Sequence, residues 1–151
     1  MTLPATQQRV PQNTDEEINS RIRMETEARV SYFAERPEEI PGRLRELDNE
    51  WNIERMLEAN AATLALSGIL IAAGTGRKSW LLLPATVTGF LLQHALQGWC
   101  PPLPILRRLG FRTAREIEQE RNALKALRGD FNLLDKAVDR LDAVLRAFGI
   151  R

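Results

Sequence analysis

Between Ala59 and Trp99 the chain carries no aspartate or glutamate, and two apolar runs fill the segment. The first is Ala61-Ala62-Thr63-Leu64-Ala65-Leu66-Ser67-Gly68-Ile69-Leu70-Ile71-Ala72-Ala73-Gly74, and the second extends from Trp80 to Trp99. Only Thr75-Gly76-Arg77-Lys78-Ser79 separates them. A bilayer core about 30 Å thick is crossed by about 20 apolar residues in a helix. The second run has that length, and the first reaches it from Met56. A helix satisfies its own backbone polar groups, as hydrocarbon demands. The expected fold is therefore all-α, a two-span transmembrane helical hairpin with cytoplasmic amphipathic helices on both sides.

The remaining residues are polar enough to hide this segment in an average. Charged residues make up 27% of the 151 positions and the net charge is +1. That balance argues against a nucleic-acid partner, which calls for a basic surface. Charge is unevenly placed. Acidic residues dominate before the hairpin, as in Asp15-Glu16-Glu17 and Glu38-Glu39, and basic ones after it, from Arg107-Arg108 to Arg128. The single cysteine, Cys100, permits no disulfide within the chain, so an oxidising compartment is not implied. Residues 1–19 have no apolar stretch of the kind a secretory signal needs.

Punctuation divides the chain into four parts. Residues 1–13, with Pro4 and Pro11, read as a disordered tail. Residues 14–42 read as an N-terminal cytoplasmic helix and a proline-containing linker. Thr14-Asp15-Glu16-Glu17 has capping-box spacing, and Pro37 and Pro41-Gly42 break the chain after about Glu35. Residues 43–100 read as a long helix continuing into the hairpin, with Leu44, Leu47 and Trp51 on one face. Residues 101–151 read as a proline-rich exit, Pro101-Pro102-Leu103-Pro104, followed by two cytoplasmic helices. The first of these starts at the capping box Thr113-Ala114-Arg115-Glu116 and stops before Gly129, with Asp130 placed to cap the second. In the last helix, Leu134, Val138, Leu141, Leu145 and Phe148 alternate steps of four and three, a seam for self-association or for packing on the chain's own N-terminal helix.

Trp51, Trp80 and Trp99 fall near the hairpin boundaries, where an amphipathic indole favours the membrane interface. Arg43, Arg45 and Arg55 precede the first span, and Arg107, Arg108, Arg112 and Arg115 follow the second. The loop carries Arg77 and Lys78 alone. This bias places both termini in the cytoplasm.

Two groups of residues are chemical candidates. Asn60, Gln93, His94 and Gln97 form an intramembrane polar cluster in an antiparallel register, as structural glue across the helix interface or as a proton relay at His94. Cys100, near Arg107-Arg108, is a candidate redox thiol. Neither group has the spacing of a metal or cofactor site, so no cofactor is expected.

Asn52-Ile53-Glu54-Arg55, the small-residue-rich first span, Trp80-Leu81-Leu82-Leu83 and Gly98-Trp99-Cys100-Pro101 together resemble a bacterial inner-membrane two-span hairpin family of unknown function. That family is similar to the membrane domain of the membrane-anchored rhodanese. The resemblance covers roughly residues 51–110 and includes no rhodanese domain. It implies a bacterial inner (cytoplasmic) membrane location and a homo-oligomer, with a hint of sulfur chemistry through Cys100. The leading functional expectation is a non-enzymatic membrane protein whose cytoplasmic helices self-associate or dock a cytoplasmic protein partner, with membrane lipid as its surroundings. The alternatives are a sulfur-carrier or redox-sensing accessory protein using Cys100, and a small oligomeric transporter.

Overall fold

A computed structural model describes residues 5–132 and Val144. Those residues are helical, with no strand among them. The helices are α1 (Arg9–Gln12), α2 (Glu16–Ala34), α3 (Ile40–Asn49), α4 (Ile53–Thr75), α5 (Leu82–Gln97), α6 (Leu103–Arg108) and α7 (Ala114–Arg128). Single 3-10 turns, Pro37–Glu39 and Lys78–Leu81, lead into α3 and α5. The seam residues Leu134, Val138, Leu141, Leu145 and Phe148 lie outside the described residues.

The chain divides into two compact units. One comprises Met1–Arg23 and Trp51–Arg115, the other Met24–Glu50 and Glu116–Arg151. The first unit contains the hairpin. Helix α4 ends at Gly76, whose left-handed backbone stops it, and α5 returns beside α4 after the 3-10 turn. The helices come closest at Gly68. A Cβ there would lie 2.6 Å from Pro84 Cδ and 3.2 Å from the Trp80 carbonyl oxygen. Glycine thus lets two backbones approach where any side chain would force them apart.

Below the hairpin, Val10, Ile53, Leu57, Cys100, Leu103 and Leu106 form a buried cluster, with Met56 and Phe111 against it. Val10 comes from a segment expected to be disordered. Residues 9–12 instead form α1, which closes the end of α5. The Arg9 guanidinium donates to the Ala95 carbonyl at 3.1 Å, and the Asn13 amide donates to the Gln97 carbonyl at 2.9 Å. A helix leaves its last carbonyls without intrahelical donors, and these two side chains supply them. Gly98 is required twice over: its φ is +81°, and a Cβ would lie 2.4 Å from the Arg9 carbonyl oxygen.

Three predicted boundaries shift. Pro41-Gly42, expected to break the chain, lies in the first turn of α3, where the missing proline N–H has no helical partner to lose. Thr14 does not cap α2, because its hydroxyl donates to the Val10 carbonyl at 2.8 Å, and α2 starts at Glu16. The continuous helix expected from Arg43 is interrupted at Glu50–Asn52. Glu50 is extended, and Asn52 restarts the helix as an N-cap, its side-chain oxygen accepting from the Arg55 N–H at 2.8 Å. An Asn side chain competes well for these unpaired first-turn donors. The α7 boundaries follow the expected Thr113 start and Gly129 stop. There the Asp130 N–H reaches the Lys125 carbonyl and the Gly129 N–H the Ala126 carbonyl, a Schellman closure. The Asp130 carboxylate is paired with Arg128 at 2.6 and 2.7 Å, which holds its pKa below the usual carboxylate range.

The second unit is built on Ile40, Leu44, Leu47, Ile117 and Leu124, with Phe33 alongside. Fully buried within it is Glu120. Its two carboxylate oxygens accept from Arg29 Nε at 3.1 Å and Arg43 Nε at 2.8 Å. Arg43 also reaches Glu46 at 2.9 Å, and Arg121 pairs with Asp48. Removing one member of a buried charge group strands the others and costs about 3–5 kcal/mol. Glu120→Ala is therefore expected to lower stability by about that amount, read as an earlier urea-induced loss of helical circular dichroism in detergent. An unchanged midpoint would show that Glu120 contributes nothing.

Candidate functional site

The feature that stands apart is the surface of the hairpin. The helical stretches ending at Thr75 and Gln97 each contain an 18-residue window apolar enough to cross a membrane, and these windows are only 17% and 6% buried. A core helix of a water-soluble bundle buries its apolar face. Here Leu70, Leu82 and Leu92 are 62%, 70% and 62% exposed, and Leu64, Leu66, Ile69, Phe90 and Leu96 are exposed around them. Large exposed apolar patches of this kind mark surfaces that meet a partner or a membrane.

The tryptophans mark the ends of this surface. Trp51 and Trp99 flank the open end, Trp80 sits at the turn, and all three are exposed. Arg55 stacks over the Trp51 ring at 4.3 Å. Beyond Trp99, α6 buries Leu103, Leu106 and Arg107 while Ile105 and Leu109 face outward, so the apolar surface continues past the end of α5.

The polar residues of the hairpin turn inward to their own helices. The hydroxyls of Thr63, Ser67, Thr75 and Thr88 each donate to the carbonyl four residues earlier, at 2.6–2.8 Å. The Asn60 amide does the same to Met56 at 3.0 Å. The expected pairing of Asn60 with Gln93 or His94 across the interface is not formed. Local back-bonding satisfies these groups without a partner helix. Gln97 is exposed and Gln93 half-buried. His94 is buried, and neither ring nitrogen has a hydrogen-bond partner among the described residues. The four residues therefore do not assemble into a connected cluster.

Cys100 lies in the buried cluster at 3% exposure. Burial pushes its thiol pKa up, with a backbone hydrogen bond at Leu103 opposing. A raised pKa leaves less thiolate at every pH, the reverse of an activated nucleophile. The surrounding arginines do not change this. Arg107 is itself buried, donating to Asn19 Oδ1 at 3.0 Å and the Phe111 carbonyl at 3.1 Å.

The short motifs around the hairpin have structural work. Asn52 caps α4, and the buried Ile53 donates its N–H to the Arg112 carbonyl at 2.8 Å. Glu54 accepts from the Ala114 N–H at 3.3 Å, at the start of α7. Gly98 admits α1, and Cys100 fills the core. Sequence reasoning missed the docking of α1 and the Asn19–Arg107 pair. Both join residues more than eighty positions apart, and neither has a local spacing that would have revealed it. No known family, curated protein or solved structure matches the chain.

Two outcomes follow from this geometry. Cys100 in the folded protein should react with a polar maleimide near neutral pH more slowly than in the denatured chain, and equal rates would contradict its burial. The raised pKa also contributes stability below the ordinary thiol range that is lost as pH climbs through the folded value. His94→Leu should leave the thermal midpoint in detergent unchanged or raise it, because an apolar group of similar size removes two unsatisfied buried atoms. A clear fall in the midpoint would mean that the imidazole makes a stabilising contact.

Proposed function

We propose that this chain is a non-enzymatic integral membrane protein. Helices α4 and α5 cross the bilayer as a hairpin and anchor helical flanks at the cytoplasmic face, where they self-associate or dock a protein partner. The observation that carries this reading is the outward direction of the apolar side chains on both helices. Hydrocarbon is the solvent in which such a surface is stable. The back-bonded hydroxyls support it, since a polar side chain facing lipid must find its partner within the helix. The exposed tryptophans at both ends support it as interface residues. With Arg77 and Lys78 alone in the loop and more basic residues in the flanks, the positive-inside rule favours both termini in the cytoplasm; a bacterial inner membrane is what the family resemblance implies.

The test is an alkaline carbonate wash of membranes from cells expressing the full chain. Retention in the pellet with release by detergent is expected. Release by carbonate alone would overturn the hairpin reading and make the two helices a surface-bound or self-covered segment.

A further inference from the structure

The hairpin is not uniformly tight. Near the turn, Gly68 brings the helices together. Toward the open end they enclose a cavity of about 280 Å³, lined by Leu57, Ala61, Leu64, Val87 and Phe90, with Cys100 and two prolines beside them. We propose that this cavity seats one acyl chain of a bilayer phospholipid, held between α4 and α5 as a resident lipid. The inference rests on the membrane reading above.

Three observations select that occupant. The first is the lining. Its polar residues are Asn60 and Thr86 alone, and the Asn60 amide is already committed to Met56. A charged ligand finds no charged partner in this almost wholly apolar lining, whereas hydrocarbon loses nothing by entering. The second is access. Leu64 and Phe90 both line the cavity and belong to the exposed apolar surface, so the cavity opens directly onto the face assigned to lipid. The third is the unfilled volume of about 280 Å³: a flexible chain that enters it restores the dispersion contacts that an unfilled cavity forfeits.

The experiment uses the full chain in phosphatidylcholine vesicles that contain a phospholipid with a photoactivatable diazirine at mid-chain. Labelled positions are mapped by mass spectrometry of peptides. The expected result is an excess of label on Ala61, Leu64, Val87 and Phe90 over the more exposed Leu70, Leu82 and Leu92. Ala61→Trp, which fills the cavity, should abolish the excess and leave label at Leu70 and Leu82. Val87→Phe repeats the test from the opposite helix. Labelling that simply follows exposure, or an excess that survives both filling variants, would overturn the proposal while leaving the hairpin in the membrane. Absence of label everywhere, together with release by carbonate, would overturn the membrane reading and this one with it.

Discussion

Each large apolar side chain that α4 and α5 turn outward forgoes the roughly 1.5–3 kcal/mol that burial from water would supply. With Leu70, Leu82, Leu92 and their neighbours exposed, the hairpin has no stabilising core of the ordinary kind. What remains to hold it is contact between the helices and the hydrogen bonds that their polar groups make locally. Gly68 against Pro84 provides the first. The back-bonded threonines and serine, the Asn52 cap, and the donors from Arg9 and Asn13 provide the second. In lipid, where apolar exposure carries no penalty, these terms decide stability.

The region beneath the hairpin follows the opposite rule. Val10, Ile53, Leu57, Leu103 and Leu106 are buried together, and Cys100 belongs with them as a small apolar side chain. The second unit is held by a core of its own and by a charge group whose centre, Glu120, has no exposed surface. Such groups are expensive to desolvate, and they tolerate little rearrangement because every member depends on the others. The chain thus combines a surface suited to lipid with flanks assembled by the logic of water-soluble helical packing.

Local chemistry was the part most open to reading from sequence. The absence of acidic residues from 59 to 99 marked the hairpin, Gly76 its turn, and Thr113 with Gly129 the limits of α7. Composition could not show which way the leucines point, and that direction is what separates a membrane hairpin from a buried one. The break at Glu50–Asn52 was concealed because Asn and Glu do not exclude a helix, and only the competing cap at Asn52 reveals it. Asn60, Gln93, His94 and Gln97 have the register of cross-helix partners, and no hydrogen bond joins them among the described residues. Their spacing fitted that role, but a polar side chain on a helix can also reach the carbonyl one turn back, as the Asn60 amide does here. Burial of Cys100 and Arg107 depended on α1 and α2, whose contacts to them span most of the chain.

The closure of α5 by α1 has a consequence for how the molecule is made. Arg9 and Ala95 are 86 residues apart, so α1 leaves the ribosome well before the residues it docks on. Its carbonyl partners do not exist until the whole hairpin has been translated. Residues 9–13 must therefore wait while both apolar helices are made. Only then can Val10 enter its cluster and Gly98 admit the Arg9 backbone. Completion of the hairpin is thus a prerequisite for docking α1, so docked α1 reports that α4 and α5 are both in place.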